Sequence, residues 1–194
     1  MIITVTNTKG GVGKTTTAVN VATGLAKKGR RTLLVDLDPQ AHATRCFLTE
    51  PPERDVTDLI MDKPGTASRA LTPTDLDHLD VVAASGRLNE TAELLATRIR
   101  REERLARALG RVRGDYRYVV IDCPPSLGVL THNGIVGADL LLVPVQPGAG
   151  AVSGIRVLLE AARELRDEDD VPFRILVTML DLRTSRTNAL FDDL

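Results

Sequence analysis

Lys9-Gly10-Gly11-Val12-Gly13-Lys14-Thr15-Thr16 stands between an apolar run, Ile2 to Thr6, and a stretch in which Ala18, Val19, Ala22, Leu25 and Ala26 recur at helical spacing. No other feature restricts the fold as tightly. A strand, a glycine-rich turn and a helix in that order put a curl of backbone at a helix N-terminus. Glycine lets such a curl close with successive N–H groups pointing inward, where a Cβ would obstruct it. The positive end of the helix dipole adds its attraction, which makes the turn a candidate phosphate cradle. By the mechanics of this motif Lys14 reaches the β and γ phosphates of a nucleotide, and the Thr15 hydroxyl takes a coordination position on Mg2+. Thr8 occupies the place where the common GxxxxGKS/T pattern has its first glycine, and Lys9 follows it.

Thr32 to Asp36, Leu79 to Ala83, Tyr118 to Asp122, Leu140 to Val145 and Phe173 to Thr178 are further apolar runs, continuous rather than alternating. Such runs predict strands covered on both faces. Helical stretches alternate with them. The first ends at Gly29, Leu88, Ala92, Leu95, Ile99, Ala106 and Leu109 mark one long helix ending near Gly110, and others lie near Thr131 to Val136 and Val152 to Leu165. Residues 49 to 78 are broken by Pro51, Pro52, Pro64, Gly65 and Pro73, with one short helix predicted over Val56 to Met61. The order implies an α/β fold, a mostly parallel sheet with helices on both faces in three layers. Ligands of such sheets bind at the carboxyl ends of strands, and three polar motifs fall there: after Thr6, after Val35 and after Ile121.

Composition removes several alternatives. With 43% hydrophobic residues the chain can build a core, but only 3% are aromatic, so base stacking is not its means of holding single strands. A net charge of −1 gives no whole-molecule attraction to nucleic acid or acidic lipid. Cys46 and Cys123 form no CxxC pattern, and His42, His78 and His132 show no metal-ligand spacing. No segment reaches the length of a membrane span and no signal peptide is visible, so a cytoplasmic location is expected.

The glycine-rich segment resembles the deviant Walker A loop, KGGxGKS/T, of the ParA/MinD family of P-loop ATPases. The resemblance implies the P-loop NTPase fold, with ATP and Mg2+ as ligands held by Lys9, Gly10, Gly11, Val12, Gly13, Lys14, Thr15 and Thr16. It also implies that Lys9 contacts the nucleotide of a partner subunit, so that two ATP molecules are buried in a homodimer. A lysine about 4 Å from a phosphate charge gains on the order of 4 kcal/mol before desolvation at a dielectric near 20, and symmetry doubles the contact. A swing of roughly 5.5 kcal/mol carries an equilibrium from 1:99 to 99:1, so two such contacts suffice in principle to make pairing depend on ATP.

Leu33-Leu34-Val35-Asp36-Leu37-Asp38-Pro39-Gln40-Ala41 resembles the second signature of the ParA branch, which implies that Asp38 orients the attacking water and Asp36 braces the site. Val119-Val120-Ile121-Asp122-Cys123-Pro124-Pro125-Ser126 resembles the Walker B segment, which implies that Asp122 holds Mg2+ through a bound water. Cys123 reads as a small strand-end residue.

The likeness runs from Ile2 to about Asn188 and includes Gly29-Arg30-Arg31 and Met179-Leu180-Asp181-Leu182-Arg183-Thr184. Asp38-Pro39-Gln40 favours ParA-like over MinD-like proteins. What the branch implies is a slow, partner-stimulated ATP hydrolase acting in chromosome or plasmid partitioning. Non-specific DNA and a ParB-like activator would be its partners, with no membrane, and it would be nucleoid-associated when ATP-bound. Alternatives are an ATPase that positions a membrane or protein cargo, as MinD-like proteins do, and a small-molecule P-loop transferase. Val145-Gln146-Pro147-Gly148-Ala149-Gly150 departs from a family segment that often carries a Glu and aromatics. Typical relatives continue beyond the position of Leu194, so the single domain, 1–194, is expected to lack the usual C-terminal end. Between Arg98 and Arg117, eight arginines outnumber Glu102, Glu103 and Asp115, a candidate surface for DNA phosphates or a solvated helix face.

Overall fold

The computed structural model describes residues 1–50, 52–61, 68–148 and 150–180. Pro51, Pro64, Gly65, Ala149 and the run Asp181-Leu182-Arg183-Thr184, all named above, lie outside them. Among the described residues seven strands form one sheet in the order β3-β4-β2-β5-β1-β6-β7. These are β1 (Ile2–Val5), β2 (Thr32–Asp36), β3 (Leu71–Pro73), β4 (Leu79–Val82), β5 (Tyr118–Asp122), β6 (Leu140–Val145) and β7 (Phe173–Val177). All neighbours are parallel except β3, which pairs antiparallel with β4 at one edge. The edge position of β3 also explains how Pro73 is tolerated, since an outward-facing residue owes the ladder no N–H.

Central strands are buried on both faces, as their unbroken apolar runs require. Leu33, Val35, Val82, Val119 and Ile121 face one core, and Leu34, Val81 and Val120 face the other. Helix α1 (Lys14–Lys27) closes the second core with Ala18, Ala22 and Ala26, small enough to bring it close to the sheet. Its end is set by Gly29 at φ 70, whose N–H donates to Ala26 O while Arg30 N–H donates to Leu25 O. That is the paired arrangement a left-handed glycine makes beyond a helix. Two short helices, α2 (His42–Arg45) and α3 (Val56–Ile60), follow β2, and α3 is opened by a reciprocal cap between Asp55 and Asp58.

The long helix expected from Leu88 to Gly110 is broken. Helix α4 (Arg87–Ala96) stops, Arg100 turns left-handed at φ 53, a 3-10 turn spans Arg101–Glu103, and α5 (Arg104–Leu109) resumes on a new course. Ile99, assigned above to the buried stripe, is 88% exposed. The cause lies in α6 (Val129–Val136). Asn133, fully buried there, accepts from Leu105 N at 2.9 Å and donates to Arg101 O at 2.8 Å and Val129 O at 2.7 Å. Leu105 N–H and Arg101 C=O are the two groups a continuous helix would pair with each other, and the inserted amide takes both.

Helix α6 also packs so closely on β1 and β5 that a Cβ at Gly134 would lie 2.7 Å from Cys123 Sγ. Helix α7 (Ala151–Arg166) covers β6 and β7 with Ile155, Leu158 and Ala162. Replacing Asn133 with Ala leaves two backbone groups buried and unpaired. We expect it to cost about 2–4 kcal/mol and to lower the thermal unfolding midpoint by roughly 5–15 °C. A change within about 2 °C in differential scanning calorimetry would mean that the helix break does not depend on this side chain.

Candidate active site

The ends of β1, β2 and β5 lie side by side, so the three polar motifs converge on one cleft. The cradle is held from beneath by Asn7, which is buried at the end of β1. Its amide donates to Pro144 O at 2.7 Å, and its carbonyl accepts from Lys9 N at 3.0 Å. Gly11 and Gly13 take φ of 73° and 88°, the left-handed conformations that make the curl. Lys14 opens α1 and is only 7% exposed, its ammonium donating to Lys9 O at 2.8 Å. Burial lowers its pKa, and the nearby Asp122 carboxylate opposes that shift. Thr15 is half-buried, whereas Lys9, Gly10, Gly11 and Thr16 are exposed. The two lysines of the motif therefore face different surroundings. Lys14 lines the cleft, and Lys9 lines a neighbouring pocket with Asn7, Thr8 and Val12.

Asp36 ends β2 fully buried. One of its oxygens accepts from Asp38 N at 3.0 Å, and the other accepts from both the N–H and the hydroxyl of Thr44 at 2.8 Å. Burial raises its pKa, with the Thr44 hydrogen bonds pulling it back. Asp36 thus anchors both the Asp38 backbone and helix α2. Asp38 lines the cleft, its carboxylate accepting from Gln40 N at 2.9 Å.

Asp122, at the end of β5, is fully buried, and neither carboxylate oxygen has a formed hydrogen bond among the described residues. Burial pushes its pKa up to about 7, and the Asp36 and Asp38 carboxylates add to the rise. The Thr15 hydroxyl and the Lys14 ammonium pull it down, the hydroxyl without meeting hydrogen-bond geometry. An orphaned buried carboxylate is costly unless something completes it. Two hard oxygens beside a threonine hydroxyl suit Mg2+, which prefers oxygen ligands and keeps several waters. Cys123 is buried and its pKa is raised by that burial, as befits a packed thiol.

The cleft between these groups has a volume of about 380 Å³ and is lined by Gly10, Gly11, Gly13, Lys14, Thr15, Thr16, Asp38, Gln40, His42 and Pro125. Gln40, His42, Pro125 and the Thr44 clamp were not singled out from the sequence as site residues. Gln40 and His42 flank Ala41, which sits in a left-handed turn at φ 54 that no composition signal announces. Thr44 carries no motif of its own and acts only through the fold.

Because Asp122 retains a proton in the folded, metal-free protein between about pH 4 and pH 7, where the unfolded chain has released it, stability falls as pH rises through that window. Asp122→Asn removes this component. Calorimetry in EDTA should find the variant more stable than the parent at pH 8 by on the order of 1 kcal/mol or more, with the difference gone near pH 4. A variant less stable than the parent at pH 8 would contradict the unpaired-carboxylate reading.

A family model described as an AAA domain matches residues 1–175. The sporulation initiation inhibitor protein Soj of Bacillus subtilis is 42% identical over 189 residues, which cover 95% of this chain and 74% of that protein. The chromosome partitioning protein ParA of Myxococcus xanthus is 38% identical over 200 residues, covering 99% and 69%. Among solved structures, cobyrinic acid a,c-diamide synthase from Mycobacterium smegmatis with bound ATP analog and magnesium superposes with a TM-score of 0.90 at 36% identity, covering 99% of this chain and 80% of that one. A plasmid partition protein from Borrelia burgdorferi superposes with a TM-score of 0.88 at 27% identity, covering 100% and 84%. With the phosphate cradle, the paired strand-end carboxylates and these matches over nearly its whole length, the chain belongs to the ParA/Soj-type, deviant Walker A branch of the P-loop ATPases.

Proposed function

We propose that the chain is an ATP-dependent switch that dimerises around two nucleotides, binds DNA without sequence preference and acts in chromosome or plasmid partitioning. The observation that carries this reading is the division of labour between two lysines five residues apart. Lys14 is buried and lines the cleft, while Lys9 is exposed and lines a separate pocket with Asn7, Thr8 and Val12. An inward lysine serves the nucleotide of its own subunit, and an outward one is available to the nucleotide of a second copy. Relatives named for chromosome partitioning at 37–38% identity support the cellular role.

In this reading the N–H groups of Gly10 to Thr16 cradle the phosphates, and Lys14 uses the donors not engaged by the Lys9 carbonyl to neutralise charge between the β and γ positions. Thr15 and Asp122 would hold Mg2+, which supplies charge neutralisation across the phosphate oxygens when bound. Asp38 accepts a hydrogen bond from a water and holds it in line with the γ phosphorus, while Asp36 and Thr44 keep the Asp38 backbone from drifting. Hydrolysis to ADP and phosphate is slow until an activator of the ParB type completes the site, and the protein is cytoplasmic and nucleoid-associated in its ATP state. No helix among the described residues is long and apolar enough to cross a membrane. Of the eight arginines between Arg98 and Arg117 all but Arg104 are exposed, which suits contact with DNA phosphates.

A small-molecule reading has one specific observation in its favour, the 0.90 superposition on a cobyrinic acid a,c-diamide synthase. ATP-dependent phosphate release with no small acceptor added separates the two.

Lys9→Ala should bind ATP but remain a monomer by light scattering. Asp38→Ala should dimerise with ATP and lose turnover on the order of a hundredfold or more. DNA retention should require ATP, vanish with ADP and weaken steeply with salt. A wild-type protein whose mass is the same with ATP, ADP and no nucleotide would end the switch reading.

A further inference from the structure

We propose that Thr178 is a positioning residue for the nucleotide, its hydroxyl fixing the peptide between Val12 and Gly13 so that the Gly13 N–H faces the triphosphate. The inference rests on the reading of the cleft as an ATP site. Thr178 follows β7 directly, and its N–H donates to Val145 O at 2.8 Å, tying it to the end of β6. From that anchored position its hydroxyl donates to Val12 O at 2.9 Å, across 166 residues of sequence.

A trans peptide is a rigid plane whose C=O and N–H point in opposite directions. A Val12 carbonyl held outward on Thr178 therefore sends the Gly13 N–H toward the inside of the loop. Such an external hold is needed at this point. Gly13 lies at φ 88°, in a region glycine enters and leaves at little cost, so nothing local stops the plane from rotating. The Val12 side chain is buried, which fixes the residue but not the orientation of its carbonyl. Thr178 touches no reacting group and acts only through the loop. Its position just beyond β7 couples that edge of the sheet to the phosphate site.

Thr178→Val keeps the shape and removes the donor, while Thr178→Ser keeps the donor. If the full chain with Val does not fold, Thr178→Ala takes its place. Calorimetric titration with ADP and with a non-hydrolysable ATP analogue, each with Mg2+, should give a Kd about two- to tenfold higher for Val than for the parent, with Ser close to the parent. In the ADP-saturated protein the Gly13 amide proton, assigned by 1H–15N spectroscopy, should move upfield in the Val variant as its bond to phosphate lengthens, and not in Ser. Equal affinities, a Kd change with the Gly13 resonance unmoved, or failure of Ser to restore both would overturn the inference. A parent protein that binds neither nucleotide would instead remove the ATP reading, and this inference with it.

Discussion

A loop can offer a row of N–H donors to an anion only if the carbonyls between them are turned away and satisfied elsewhere. In this chain that condition organises much of the site. Lys9 O is occupied by the Lys14 ammonium and Val12 O by the Thr178 hydroxyl, while the Lys9 N–H is held by Asn7. Two left-handed glycines supply the curvature. The partners come from β1, α1 and the end of β7, so the cradle is a product of the whole sheet rather than of eight consecutive residues.

The same cleft carries two desolvated groups of opposite charge. Lys14 has its pKa lowered by burial and Asp122 has its pKa raised, and neither forms an ion pair with the other. A triphosphate would give the lysine an anion, and a hard cation would give the carboxylate a partner, so each would offset part of the desolvation of these two groups. Asp36 and Thr44 extend the arrangement outward. The Thr44 hydroxyl that binds Asp36 also accepts from Ala84 N beyond β4, so the loop holding Asp38 is linked to a fourth strand.

Much of this was legible in the sequence. The phosphate loop, the strand ends at Asp36 and Asp122 and the layered parallel sheet all follow from local patterns: glycines before a helix, and carboxylates after unbroken apolar runs. What escaped reading depends on contacts between distant residues. The predicted long helix failed because Asn133, nearly thirty residues on, takes the hydrogen bonds that would have continued it through Arg101 and Leu105. Ile99 fits the helical period but is turned out to solvent by that break. Helix α2 was missed because four residues carry too little periodicity, and β3 because Pro73 and its short length mask an edge strand. Thr44 and Thr178 are ordinary threonines in sequence, made specific only by what the fold places opposite them.

The most direct test of the central claim is a crystal structure of the protein with Mg2+ and a non-hydrolysable ATP analogue. The account requires the triphosphate inside the curl of Gly10 to Thr16, with the Lys14 ammonium donating to phosphate oxygens and the Asp122 carboxylate engaged with the hydration shell of the cation. A structure in which the analogue lies elsewhere, or in which Lys14 makes no contact with phosphate and Asp122 remains unpartnered with nucleotide bound, would contradict it.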